Sequence, residues 1–387
     1  MMKHTALWCA ALGALCCAAS AQAADVQVYG RVDAGLLYKH TANDDNLTMN
    51  AGGRAHNRIG LNIVEDLGNG MKVKAYLENG FTLDDGAMDD GKTLFNRRSI
   101  LAVQGSWGEV GFGRMGTVQS TMAPYSMGSI KFDPFGTSYG NASVGKTFSN
   151  TSRTNNTVTW VSPKMNGFRV GASYSLGDAT DDTYNVLADR KRTGALAIDY
   201  TGDNVYLTLN YGVIDYGNAE GAISGKDAAG NALSATKDSK GQAVAFGGWY
   251  RFIPESKIFF GAQYSTHWTT GGSLAASKVA KGSTQHELDV QAEGWDGCSL
   301  LLGADYVIGE HKVIAGVQHY NGELSADSSI DFLRTIVAAA YEYKLAKTTW
   351  LYFAATHSIG GGAAEAVADA AGTTDVTEVF AGLNWNF

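Results

Sequence analysis

Proline is nearly absent from this chain, 4 residues in 387, and charged residues make up only 18%, below the roughly 25% usual in globular proteins. So few ladder-breaking residues leave long strands uninterrupted. Beyond the N-terminus no stretch is long and apolar enough for a membrane-spanning helix, which needs about 20 residues, so a helical membrane protein is excluded. Three of the 4 cysteines, Cys9, Cys16 and Cys17, fall within the first 23 residues. With only Cys298 beyond them, a disulfide scaffold is impossible and a thiolate metal site lacks partners. The formal net charge of −8 lacks the basic excess that a nucleic-acid partner requires.

The N-terminal run is read as an export signal. Lys3 and His4 make a short polar start, residues 6–19 are apolar, and Ala21-Gln22-Ala23 gives the small-x-small pattern that signal peptidase needs. Cleavage after Ala23 is expected, with residues 24–387 forming one domain. Neither Cys16 nor Cys17 has a leucine three residues upstream, so lipid anchoring is not expected.

What the chain has in abundance is glycine, 48 residues, and aromatics, 11% with 18 Tyr. These are arranged with period two over stretches of about ten residues, the pattern of strands with one face toward lipid and the other toward water. At the C-terminus Val379, Ala381, Leu383, Trp385 and Phe387 alternate with Glu378, Gly382, Asn384 and Asn386. Val205, Leu207, Leu209, Tyr211 and Val213 alternate with Tyr206, Thr208, Asn210 and Gly212. A soluble sandwich alternates too, so the connections decide.

Sixteen strands are expected, near 26–39, 53–65, 71–83, 94–104, 108–114, 154–162, 168–176, 190–201, 204–213, 241–252, 257–268, 296–308, 311–321, 331–345, 348–358 and 376–387. Every second connection is tight, as at Asp66 to Gly70, Pro163 to Gly167 and Gly309 to Glu310, whereas 115–153, 214–240, 269–295 and 359–375 are long. Short turns at one end and long loops at the other point to an all-β, sixteen-stranded antiparallel transmembrane barrel with both termini at the short-turn end. A barrel of that size keeps an aqueous lumen. The segment 284–295 fits either the start of the twelfth strand or its preceding loop.

Several blocks together resemble a known family: Asp25-Val26-Gln27-Val28-Tyr29-Gly30-Arg31, Asn57-Arg58-Ile59-Gly60, Glu65-Asp66-Leu67-Gly68-Asn69-Gly70, Phe112-Gly113-Arg114, Asp133-Pro134-Phe135-Gly136, Ser162-Pro163 and the terminal Phe387. Their order and spacing over residues 25–387 resemble the Gram-negative general porins of the betaproteobacterial type. The resemblance implies an outer-membrane homotrimer, a water-filled channel for small hydrophilic solutes and ions, and a third extracellular loop, here 115–153, folded into the lumen. Trp385 and Phe387 resemble the signal read by the barrel-assembly machinery. No cofactor or metal is implied.

By motif position the resemblance assigns Arg31, Arg58, Arg98 and Arg114 to a basic constriction wall. Alternation independently turns Arg31, Arg58 and Arg98 inward, away from Val28 and Val32, Ile59 and Leu61, and Leu101 and Val103; a charge facing lipid at mid-membrane costs about 2–4 kcal/mol. The inward loop carries one carboxylate, Asp133, against Lys131, Lys146 and Arg153, with Glu78 expected nearby as a partial offset. A weak transverse field and mild anion preference follow.

Other motifs carry less. Gly111, Gly113 and Gly116 mimic a dinucleotide-binding pattern but no helix follows; the aspartates at 84, 85, 89 and 90 lack calcium-loop spacing. His267, His311, His319 and His357 lie on separate strands without metal-ligand spacing. By parity Cys298 faces lipid or a neighbouring subunit. No nucleophile and base arrangement for a membrane hydrolase emerges, so an enzyme is not expected. An adhesin or phage-receptor role for the loops and a substrate-selective channel stay open as rival readings.

Overall fold

The computed structural model describes residues 24–177, 191–217, 223–226, 229, 231–235, 239–268, 292–362 and 375–387. The export segment expected at 1–23 lies outside the described residues, as do 284–291 of the segment before strand twelve.

Among the described residues sixteen strands make the wall. They are β1 Asp25–Thr41; β2, in two pieces, Asp45–Ala51 and Arg58–Gly68; β3 Met71–Gly80; β4 Arg98–Gly105; and β5 Gly108–Gly116. Then come β6 Arg153–Val161, β7 Phe168–Ser175, β8 Arg192–Thr201, β9 Val205–Asp215, β10 Lys240–Ile253 and β11 Ser256–Trp268. The last five are β12 Trp295–Ile308, β13 His311–Leu324, β14 Asp327–Ala346, β15 Thr349–Gly361 and β16 Val376–Asn386. A separate hairpin, Ile223–Lys226 with Ala232–Ala235, stands in the loop after β9.

Each strand pairs antiparallel with its sequence neighbours, and β1 pairs with β16 from Arg31↔Asn386 to Thr41↔Val376, closing the cylinder without an edge. The seam is locked at the turn end, where Gly30 and Phe387 exchange backbone hydrogen bonds of 3.0 and 3.1 Å. Turns at this end are short. Asn69 and Gly70 take positive φ between β2 and β3, the conformation that a tight hairpin requires of Asn and Gly.

Alternation sorts the faces as the sequence predicts. Val28 is 57% exposed, Leu101 57% and Phe353 53%, a continuous apolar outer surface that only a lipid solvent tolerates. The opposite positions face the lumen, where the loop joining β5 to β6, residues 117–152 and hereafter L3, packs against them.

The second strand departs from expectation. Instead of one strand over 53–65, β1 pairs through Ala34–His40 with Asp45–Ala51 and through Asp25–Arg31 with Arg58–Val64. Residues 52–57 leave the ladder and bulge from the wall. Asp33 supports the bulge: its amide donates to Asn57 Oδ1 (2.5 Å), its carbonyl accepts from the Gly52 amide (3.2 Å), and its carboxylate accepts from Ala55 N (3.0 Å), Tyr352 Oη (2.8 Å) and Asn384 Nδ2 (2.9 Å). Period-two reading misses it because Gly52-Gly53 and Ala55 preserve a plausible strand pattern.

Candidate functional site

L3 holds its own shape through one buried carboxylate. Asp133 accepts from the backbone amides of Phe135 (2.9 Å), Thr137 (3.0 Å) and Val144 (2.9 Å), drawing together the 3-10 turns Ser129–Lys131, Gly140–Ala142 and Val144–Lys146. Burial pushes its pKa up to about 6 against the pull of these N–H groups.

Polar groups of the inner wall then tie L3 down. Ser173 Oγ accepts from Val118 N (3.0 Å), Thr208 Oγ1 donates to Met127 O (2.5 Å), and Gln263 accepts from Ser149 N (2.5 Å) while donating to its carbonyl (2.7 Å). Gln318 accepts from Thr147 Oγ1 (2.6 Å). Three wall carboxylates face the loop: Glu109 accepts from Tyr125 Oη, Glu342 from Tyr139 Oη and Glu378 from Asn141 N, each at 2.8 Å. Apolar docking accompanies them, with Phe132, Val144 and Phe148 packed on Phe259 and Leu301. The bulge of β2 joins in, since Tyr139 N donates to Gly53 O (2.8 Å) and Ser138 Oγ donates to Arg54 O.

Glycine supplies the sockets. A Cβ at Gly247 or Gly261 would overlap the ring of Phe132, one at Gly303 the ring of Pro134, and one at Gly111 the ring of Tyr125. Much of the chain's lumen-facing glycine thus admits the loop.

Opposite the free face of L3 stands a basic wall. A cavity of about 590 Å3 is lined there by Arg31, Arg58, Arg97, Arg98 and Arg153, with Lys146 of L3 and Lys191. Among the described residues no carboxylate lines it. Glu78 sits behind the arginines, 1% exposed. It accepts from Arg97 Nε (2.7 Å) and Tyr29 Oη (2.8 Å), and lies 3.6 Å from Arg98 Nη2 and 3.9 Å from Arg58 Nη1. Asp89 Oδ2 lies 3.7 Å from Arg97 Nη1 as well, so two carboxylates stand against the five arginines that line the cavity and offset only part of their charge. Arg31 is oriented by Asn386 Oδ1 (2.8 Å) and Arg58 by His56 O (3.0 Å). On L3, enclosure by the barrel lowers the pKa of Lys146.

The structure therefore brings Arg31, Arg58, Arg98 and Glu78 together but not the full expected set. Asp133 is corrected from a lumen acid to a buried support of the loop. Arg114 is also removed from the cavity lining: a register shift between Gly113 and Met115, with Gly113 at φ +132°, re-aims it to donate to Asn96 O and Asn155 Oδ1, both at 2.7 Å. β-bulges do this to side chains. Two wall residues differ from expectation: Arg97, which the expected strand 94–104 gives the outward parity of Leu101 and Val103, precedes β4 and reaches Glu78 instead, and Arg153, expected with the inward loop, opens β6. Trp385 and Phe387 lie on the outer face with ring centroids 5.1 Å apart.

Comparison with known proteins agrees with this geometry. A family model described as Gram-negative porin matches residues 9–363. An outer-membrane porin of Bordetella pertussis is 28% identical over 379 residues, covering 91% of this chain and 93% of that protein. Outer membrane porin protein 32 of Delftia acidovorans is 30% identical over 179 residues, 43% of this chain and 49% of its own. Among solved structures, an anion-selective porin from Comamonas acidovorans superposes with a TM-score of 0.66 at 20% identity, covering 94% of this chain and all of that one. OmpT of Vibrio cholerae with loop L8 deleted gives 0.66 at 17% identity, with 95% and 100% covered. A closed sixteen-stranded wall, an inward loop and a family match over most of the length lead to one conclusion: this chain belongs to the Gram-negative porins, channel proteins of the outer membrane.

Proposed function

We propose that this porin passes small hydrophilic solutes and ions by passive diffusion with a mild preference for anions. The observation that carries the preference is the lining of the narrow cavity: seven cationic side chains and, among the described residues, no carboxylate. At physiological salt the Debye length is about 8 Å, so charges lining a narrow passage, not the chain's net charge of −8, set ion preference. The Comamonas acidovorans structure of the same fold is that of an anion-selective porin, which points the same way. Reversal potential across a planar bilayer under a KCl gradient tests it; a potential of cation-selective sign would refute the assignment.

The same reading extends to assembly. Residues 1–23 direct export and are removed, the barrel-assembly machinery reads Trp385 and Phe387, and three copies associate within outer-membrane lipid. A Vibrio cholerae OmpT structure described as a trimer form, 16% identical, supports association of barrels of this fold. Stepwise closure of conductance in thirds is the expected signature of three pores.

A further inference from the structure

We infer that the lumen contains a second anion station, separate from the arginine constriction and near the short turns, that holds small solutes bearing two or more oxyanion groups. The inference rests on the channel reading above. It starts from Trp249 of β10. Tyr206 of β9 stacks on this indole at 6.2 Å with an interplanar angle of 18°, while Lys257 Nζ lies 4.5 Å and Arg251 Cζ 5.7 Å from its ring. An aromatic face attracts a cation through its quadrupole. Unlike a carboxylate, it leaves the net charge uncancelled and N–H groups free for another acceptor.

The pairing pattern nearby fits. Outside the constriction several inner-wall cations are paired with carboxylates, as in Lys74–Glu109 (2.8 Å), Arg54–Glu342 (2.9 Å) and Arg192–Asp215 (2.6 Å). Of the three acids that line the cavities around Trp249, Asp199, Glu255 and Asp305, two are already engaged. Asp199 holds Arg169 at 2.5 Å and accepts from Tyr206 Oη at 3.1 Å; Asp305 lies 3.4 Å from Lys312 and accepts from the Lys257 amide at 3.0 Å. Among the described residues Lys131, Arg251 and Lys257 form no ion pair, and the buried Nε of Arg251 has no hydrogen-bond partner. Two cavities of about 400 and about 410 Å3 open here, one lined by Lys131, Lys164 and Arg169 with Asp199, the other by Arg251, Lys257 and Lys312 with Glu255 and Asp305, so cations outnumber acids in each. Volumes in this range accommodate small organic ligands.

Cations spread over two such cavities suit a ligand with separated oxyanions better than chloride. The arginines of the constriction lie on or beside β1, β2, β4 and β6, whereas the wall cations of the second station lie on β7, β10, β11 and β13; L3 contributes Lys146 to the first and Lys131 to the second. An anion crossing the pore would leave one basic surface and meet the other on the facing wall.

Single-channel recording with inorganic pyrophosphate as probe, added in turn to each chamber, tests this. The wild-type channel is expected to show dose-dependent current interruptions, stronger from one chamber than the other. The combined variant Lys131→Gln, Arg251→Gln and Lys257→Gln should need at least about tenfold more pyrophosphate for the same block, as loss of charge-assisted contacts requires. Arg58→Gln should retain the block. Heat-modifiable gel mobility verifies folding, and Lys257→Gln alone should give a smaller shift if the triple variant does not assemble. Absence of block in the wild type, block unchanged in the folded vestibule variants, or block lost only with Arg58→Gln would overturn the proposal. A protein that carries no KCl current at all would instead overturn the channel reading beneath it.

Discussion

The ring of Phe132 occupies the space above Gly247 that any larger residue's Cβ would need. Loop and wall therefore interlock through an absent side chain. Replacing Gly247 with Val should expel Phe132 from its socket, at about 1–3 kcal/mol for overpacking. Expected readouts are a lower unfolding temperature in detergent and larger, noisier conductance; unchanged conductance would show that Phe132 does not hold the loop in place.

Asp133 gives a test that separates support from pore lining. Asp133→Asn places an amide where the Phe135, Thr137 and Val144 amides all donate, leaving at least one buried N–H unsatisfied at about 1–3 kcal/mol. L3 should become more sensitive to protease while the reversal potential stays within a few millivolts. A marked shift toward anion selectivity without loosening would return Asp133 to the lumen.

The basic wall predicts unequal effects from arginines that look equivalent in the chain. Arg58→Gln should move the reversal potential toward cations, because its guanidinium lines the cavity. Arg114→Gln should leave the potential nearly unchanged, because its guanidinium is held by Asn96 and Asn155. Equal shifts in the two variants would contradict the bulge at Gly113.

Glu78→Gln should act on two measurements at once. Removing the carboxylate that Arg58, Arg97 and Arg98 share makes the lining more positive, so anion selectivity should rise. Breaking a buried ion cluster by deleting one partner also costs about 3–5 kcal/mol, so thermal stability should fall. A stability loss without any change in selectivity would mean that Glu78 is screened from the passage.

The terminal pair can be tested through closure. Phe387 and Gly30 exchange two backbone hydrogen bonds, and the Phe387 ring fills the space a Cβ on Gly30 would take. Gly30→Leu should weaken the seam while leaving the C-terminal sequence intact. Reduced heat stability with normal membrane delivery separates this role from recognition during assembly; a delivery defect equal to that of Phe387→Ala would merge the two.

Much of this architecture is legible in the chain because the barrel's two solvents impose a simple period. Leu101 and Val103 outward fix Arg98 inward with no further information, and the alternation of turn and loop lengths fixes direction. The reading fails where the backbone leaves that period: at 52–57, at Gly113 and Arg114, and at Arg97 and Arg153 beside strand starts. Asp133 was misplaced for another reason, since a carboxylate solvated by its own loop's amides and one facing water look identical in sequence. In the sequence, glycine abundance shows only the period of strands, although at Gly247, Gly261 and Gly303 it records where L3 must fit.

Tyr139 stands where three parts of the molecule meet. Its hydroxyl reaches Glu342 on β14, its ring packs on Tyr352 of β15 and Phe380 of β16, and its amide reaches Gly53 in the bulge of β2. The tip of L3 thus bridges both sides of the line along which the first and last strands zip. Loosening the tip of L3 would therefore release contacts to β2, β14, β15 and β16 at once, so narrowing the barrel and bracing its seam fall to the same few residues.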